Sequence, residues 1–88
     1  MEIVSIDGRT TRVRQTSLAS GLHIVDVSFR TGSFNGAATV PCDLKAGGVY
    51  EISAEIESGR SIRVELDRIK DGTRSELHSH FVNGVVGP

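Results

Sequence analysis

The chain has 88 residues, of which ten are basic and eleven acidic, and its net charge is -1 near neutral pH. A chain of this length forms one small domain with a thin core. Acidic and basic residues are spread over both halves, and the sequence lacks the basic tract expected of a nucleic-acid-binding protein. It also lacks the run of about 18 apolar residues expected of a membrane-spanning helix.

The sequence predicts an all-β domain. Apolar and polar residues alternate with a period of two, and turn-forming residues interrupt the chain about every ten positions. Six or seven short strands are predicted, in chain order over Glu2–Ile6, Thr11–Gln15, Leu22–Arg30, Ala37–Leu44, Val49–Glu57, Ser61–Lys70 and Thr73–Val82.

The first two strands are predicted to form a hairpin. If residues 7–10, which begin with Asp-Gly, are a four-residue loop, Val4 lies opposite Val13 on the buried face. A connector of small residues, Thr16 to Gly21, then leads to the third strand.

The third strand carries Val25, Val27 and Phe29 on one side, and this side is expected to be buried. Residues 31–36 contain two glycines and an asparagine and are predicted to be a loop, with Phe34 folding back over the core.

The fourth strand alternates Ala38, Val40, Cys42 and Leu44 with polar residues and proline. Pro41 has no N–H group to donate to a neighbouring strand. The fourth strand is therefore expected at a sheet edge or at a bulge.

The last three strands are predicted to form a meander, because two independent hairpin registers bury the same face of the middle strand. The first hairpin turns at residues 58–60, and the second at the two-residue turn Asp71-Gly72. On the buried face the registers pair Ile56 with Ile62, Ala54 with Val64, Ile52 with Leu66, Leu66 with Leu77, and Ile62 with Phe81. On the other face they place Glu55 opposite Arg63 and Glu51 opposite Asp67.

The predicted architecture is a small antiparallel β-sandwich of six or seven strands, with a partly open β-barrel as the alternative. The domain is expected to span residues 1–82, followed by a short tail over residues 83–88.

One candidate metal site combines His78, His80 and Glu65. Positions two apart on a strand share a face, and in the predicted register His78 lies opposite Glu65, which would supply a third ligand. Arg63 would lie opposite His80 and disfavour a cation. The alternative is two solvated histidines on a polar sheet face.

No catalytic residue and no cofactor are predicted. Cys42 alternates in phase with buried residues, so it is expected to be an inert core thiol rather than a nucleophile. His23 starts the third strand on its apolar face, where a backbone carbonyl is its expected partner. The chain has no tryptophan, which leaves little for a sugar- or base-stacking platform. The sequence thus predicts a protein that is not an enzyme.

Three stretches resemble the small β domains of bacterial envelope proteins and lipoproteins, including PEGA-like domains. They are Ile6-Asp7-Gly8, the Gly21-Leu22-His23 start of the third strand, and the Ala46-Gly47-Gly48-Val49-Tyr50 approach to the fifth. The chain has Ser20 where those domains usually have a proline. The resemblance implies a non-catalytic sandwich near the bacterial cell envelope, and it implies no catalytic residue.

Two functions are therefore expected. The first is a cell-envelope accessory domain that contacts another protein through loops or a sheet edge, away from the strand carrying Pro41. The second is a metal- or small-ligand-binding domain that uses His78, His80 and Glu65. If a targeting segment precedes Met1, the expected location is the periplasm or envelope; otherwise it is the cytoplasm. No nucleic-acid partner is expected, and the oligomeric state is left open.

Overall fold

A computed structural model describes residues 1–86. Regular structure in these residues is entirely β-strand, as the sequence predicts, and they contain no helix long and apolar enough to cross a membrane. The strands are β1 (Glu2–Ile6), β2 (Arg9–Val13), β3 (Gly21–Thr31), β4 (Phe34–Leu44), β5 (Val49–Ser58), β6 (Ser61–Lys70), β7 (Thr73–Asn83) and β8 (Val85–Val86).

The strands form two antiparallel sheets, which confirms the predicted small sandwich. The larger sheet has the order β2-β1-β3-β4-β8, and the smaller has the order β5-β6-β7. β3 packs across from β5, and β4 packs across from β6 and β7. The ladders of residues 1–86 remain two separate sheets, so they do not close into the alternative barrel.

The core lies between the inner faces of β3, β4 and β6. Alternate residues of these strands are buried, because successive side chains of a strand point to opposite faces. The predicted buried faces of β3 and β4 are confirmed. The buried apolar residues are Val25, Val27, Phe29, Ala38, Val40, Cys42, Ile62, Val64 and Leu66.

Two Asp-Gly pairs form two-residue hairpin turns. Asp7 and Gly8 have φ values of 52° and 80°, and Asp71 and Gly72 have 52° and 76°. Positive φ at both central residues defines a type I′ turn, whose twist matches that of the flanking strands. Each pair therefore joins two strands with no further loop residues.

The first hairpin differs from its prediction. Because the turn needs only two residues, β2 starts at Arg9 and the predicted four-residue loop is wrong. Ile3, not Val4, lies opposite Val13, and the register shifts between Ile3 and Ser5. In this hairpin Thr11 and Arg12 of β2 lie opposite the single residue Val4, so the extra residue of the β-bulge is on β2.

The connection between β3 and β4 is also shorter than predicted. Thr31 pairs with Phe34, so residues 32 and 33 form a two-residue turn instead of a six-residue loop. Phe34 lies within β4 and packs against the core, as expected. Gly36 pairs with Phe29, and a Cβ added to Gly36 would lie 2.5 Å from the Phe29 ring. The aromatic ring thus covers the glycine.

The hairpin of β5 and β6 has the predicted register from Val49 to Ile56, but its turn has two residues, 59 and 60, instead of the predicted three, because Ser58 pairs with Ser61. Ile52 pairs with Leu66 and Ala54 with Val64, and the register shifts only at the turn end, after Ile56. The inner side of β5 completes the core with half-buried residues, which are Tyr50, Ile52 and Ala54.

The hairpin of β6 and β7 follows its prediction only up to a bulge. Asp67 pairs with Glu76 as expected, but Leu66 then pairs with His78, and Leu77 is the extra residue. A shift of one residue moves every later side chain of β7 to the other face. The predicted pairs of Leu66 with Leu77 and of Ile62 with Phe81 are therefore wrong.

The predicted tail contains a further strand. β8 pairs with the first residues of β4, with Val86 opposite Phe34 and Val85 opposite Asn35. The buried Gly84 leads into it, and a Cβ there would lie 2.7 Å from the Cβ of Phe34. The last two residues of the predicted tail, 87 and 88, lie outside the described residues.

Two side chains fix the long connections. β2 and β3 are both antiparallel to β1, so residues 14–20 cross over β1 to reach β3. The ring of His23 is 2.8 Å from the carbonyl oxygen of Ala19 and holds the end of this crossing. Between the sheets, the backbone N–H of Lys45 donates to the hydroxyl of Tyr50 at 2.7 Å. The arrangement is similar to the tyrosine corner of immunoglobulin-like sandwiches.

Candidate functional site

Within residues 1–86 the sandwich has four free or partly free strand edges, and three of them carry features that discourage pairing with another chain. β2 has only five residues, two of which are arginines. β4 is partly covered by β8 and contains Pro41. β7 is interrupted by the bulge at Leu77. Short edges, charges, prolines and bulges are the usual protections against edge-to-edge association.

Pro41 blunts the free edge of β4 directly. Ile24, its partner on β3, uses both backbone groups toward β1: its N–H donates to Asp7 Oδ1 and its carbonyl accepts from the N–H of Asp7, each at 2.8 Å. The backbone of Pro41 therefore faces away from β3, toward the free edge. Since proline has no N–H, a strand added there would lose a hydrogen bond.

The edge of β5 is neither short nor interrupted by proline, and its charged side chains are all glutamates. It has ten residues, no proline, lysine or arginine, and no register shift from Val49 to Ile56. Because the two-residue turn makes Lys70 and Thr73 a hydrogen-bonded pair, alternation along β6 directs the backbone of Ile69 toward Val49. The same alternation leaves outward-directed N–H and C=O groups on β5 at Tyr50, Ile52, Ala54 and Ile56.

The outer face of β5 is acidic. Arg74 forms an ion pair with Glu51 by donating a hydrogen bond to its Oε1 at 2.9 Å, and Arg74 also lies 3.7 Å from Asp67 Oδ2. The predicted juxtaposition of Glu51 with Asp67 is thus bridged by a cation. Glu55 and Glu57 are exposed and form no ion pair within residues 1–86. The edge of β5 therefore presents uncompensated negative charge next to unpaired backbone groups.

Carboxyl groups continue across the outer face of β6 and β7. Arg63 pairs with Glu65 at 3.0 Å and with Glu76, so it does not pair with Glu55 opposite it. Hydrogen bonding to the carboxyl of Asp67, and to a lesser extent to that of Glu76, raises the pKa of Glu65 to about 7. Asp67 is buried, and its Oδ1 has no hydrogen-bond partner among residues 1–86.

The three residues of the predicted metal site are not brought together. The bulge turns His78 and His80 toward the inner face, opposite Leu66 and Val64. The two rings are hydrogen-bonded to each other, with His78 Nε2 2.9 Å from His80 Nδ1. Glu65 lies opposite Ser79 on the outer face. In residues 1–86, no three or more His, Cys, Asp or Glu side chains are grouped so that they could hold a metal ion. The predicted pairing of Glu65 with His78 is therefore wrong.

Cys42 and His23 lie where the sequence predicts. Cys42 is 3% exposed, and burial raises the pKa of its thiol to about 11, which removes the reactive thiolate at neutral pH.

The His23 ring contacts the expected backbone carbonyl, that of Ala19, and also Asp7, whose Oδ2 is 2.7 Å from His23 Nδ1. Hydrogen bonding to Asp7 and then to the Ala19 carbonyl raises the pKa of His23. Hydrogen bonds from the N–H of Ile24 and from His23 lower the pKa of Asp7.

The exposed β5 edge is the part of the site that sequence reasoning missed. The alternation of β5 predicts a strand but does not say which side of it is free, because sheet order depends on the packing of distant segments. The lack of proline, lysine and arginine over residues 49–58 was the one available signal.

Comparison of the chain with protein-family models, with curated proteins and with solved structures finds no match.

Proposed function

We propose that this chain is a non-catalytic protein-interaction domain of the bacterial cell envelope, and that it binds an extended segment of its partner along the free edge of β5. The observation that carries the proposal is the long edge of β5, which contains no proline and keeps a regular register from Val49 to Ile56. An added strand satisfies the outward N–H and C=O groups of the edge, and its side chains supply specificity.

The charge of the edge selects the partner. An extended segment with lysine or arginine at alternate positions would place cations beside Glu55 and Glu57. Its other face would carry apolar side chains that cover Ile56, which is 42% exposed. A second copy of this chain fits poorly, because pairing two β5 strands gathers the glutamates of both copies on one face.

The assignment to the envelope rests on the resemblance to small envelope-protein domains. The motifs of this resemblance have architectural roles here. Asp7-Gly8 forms a turn, Asp7 is hydrogen-bonded to His23, and the Tyr50 hydroxyl accepts a hydrogen bond from Lys45 in the connection between the sheets. These roles suit a rigid scaffold that presents an edge. Fractionation of cells that express the tagged native gene tests the location, and recovery in the cytosol alone would contradict it.

The binding mode is tested with two ten-residue peptides, one alternating valine with lysine and the other alternating valine with glutamate. We expect the basic peptide to bind, with an affinity that falls as salt is added, and to shift the NMR signals of β5. The acidic peptide should not bind.

Ala54→Pro provides the matched edge variant, because it removes an outward N–H from β5 as Pro41 does naturally on β4. Ala54→Ser keeps the N–H and serves as the control. The proposal predicts that only the proline variant loses peptide binding. Circular dichroism should show that both variants are folded. Equal binding of the two peptides, or undiminished binding by folded Ala54→Pro, would refute strand addition at β5.

A further inference from the structure

A cleft of about 370 Å³ lies beside the connection from β4 to β5 and is lined by residues of β3, β4, β5, β6 and β7. This volume is near the lower end of the roughly 300–1,000 Å³ typical of small-ligand sites. Its apolar lining comes from Leu22, Pro41, Leu66 and Leu77. Leu22 is 68% exposed and Leu77 is 50% exposed, so the cleft has an apolar mouth.

Arg68 is the unusual group in this cleft. It lines the cleft from β6, it is half-buried, and its Nε is buried without a hydrogen-bond partner in residues 1–86. It forms no ion pair with a carboxylate of these residues. Buried charges are normally paired, because removing a cation from water is costly. A bound anion would supply the partner that Arg68 Nε lacks within residues 1–86.

The groups around Arg68 suit a carboxylate. Lys45 adds a second positive charge at the rim, and Asp43 adds one negative charge. The hydroxyl of Tyr50 accepts the N–H of Lys45, which leaves its own hydrogen available as a donor. A guanidinium pairs with a carboxylate through parallel hydrogen bonds, and the leucines nearby would contact an aliphatic chain.

We propose that this cleft binds the carboxylate of an apolar acid, either a short free acid or the C-terminal residue of a peptide, with Arg68 as the anion-binding group. The site is independent of strand addition at β5. His78 lines the same cleft, but its Nε2 is already bonded to His80, so it contributes surface rather than the charge.

The test is an NMR titration of the ¹⁵N-labelled protein with sodium hexanoate and, separately, with a tetrapeptide that ends in a free leucine carboxylate. Hexanamide and the peptide C-terminal amide are the matched ligands without the charge. We expect the acids to shift the amide signals of cleft residues, and Arg68→Gln to weaken binding by about tenfold or more. Arg63→Gln, on the outer face of the same strand, is the control and should bind normally.

Folding is checked by the melting temperature. Arg68→Gln removes an unpaired half-buried charge, so its melting temperature should equal or exceed that of the wild type. Binding of hexanoate alone assigns the source to a free acid, and binding of the peptide alone assigns it to a chain terminus; either result supports the proposal. Absence of cleft shifts with both acids, equal shifts with the amides, or equal weakening by Arg63→Gln would overturn it. A marked fall in the melting temperature of Arg68→Gln would also count against it, because it would show that Arg68 has a structural partner.

Discussion

The bulge in β7 can be tested by replacing Phe81 with alanine. With a straight register Phe81 would face the core opposite Ile62, and its removal would cost ~3–5 kcal/mol, as for other core phenylalanines. The bulge instead places Phe81 opposite Arg63 on the outer face, where it is 58% exposed.

Full burial of a phenylalanine side chain stabilises a protein by about 1.5–3 kcal/mol, and roughly two-fifths of Phe81 is out of water, so Phe81→Ala should cost ~1 kcal/mol. This corresponds to a fall in the melting temperature of roughly 4–8 °C for a domain of this size.

The free energy of unfolding is measured by urea denaturation followed by circular dichroism. Ile62→Ala is the reference variant, because Ile62 is fully buried, and it should cost ~2–5 kcal/mol. We expect Phe81→Ala to lower the free energy of unfolding clearly less than Ile62→Ala does. The slope of the unfolding free energy against urea concentration should be similar in the two variants. A loss of 3 kcal/mol or more at Phe81, on the order expected of a core position, would refute the bulged register.

Three further changes probe the architecture. Gly36→Ala forces a methyl group against the Phe29 ring and should cost ~1–3 kcal/mol in urea denaturation; an unchanged midpoint would contradict the close packing. Tyr50→Phe removes the hydrogen bond that holds the crossing between the sheets and should cost ~0.5–1.5 kcal/mol, with faster amide exchange in that crossing as the local readout. The raised pKa of Glu65, about 7 against an ordinary 4.5, means that the folded state holds this proton to higher pH than the unfolded state, so stability should fall as pH rises from 4.5 to about 7. Glu65→Gln should flatten this fall, and a wild-type stability that rises across the window would refute the sign.

Local chemistry determined much of the fold. Asp71-Gly72 predicts a two-residue turn, because aspartate and glycine tolerate positive φ, and this turn forms. The same chemistry at Asp7-Gly8 gives a two-residue turn in place of the predicted four-residue loop. Alternation over β3, β4 and β5 predicts which faces are buried, since the period of a strand is fixed by its backbone. Pro41 predicts a sheet edge or a bulge because it lacks an N–H, and within residues 1–86 no strand pairs with the outer side of β4 at Pro41.

Tertiary packing decided the features that separate the two candidate functions. In the alternating pattern of residues 77–82, Leu77 and Phe81 share one face, and Val82 lies on the other with the two histidines. Because each face contains an apolar residue, the sequence pattern accepts both a straight and a bulged pairing with β6. The bulge turns His78 and His80 inward and leaves Glu65 outside, which separates the predicted ligands. Sheet order likewise depends on contacts between distant segments, so the free edge of β5 and the unpaired Arg68 appear only once the two sheets are assembled.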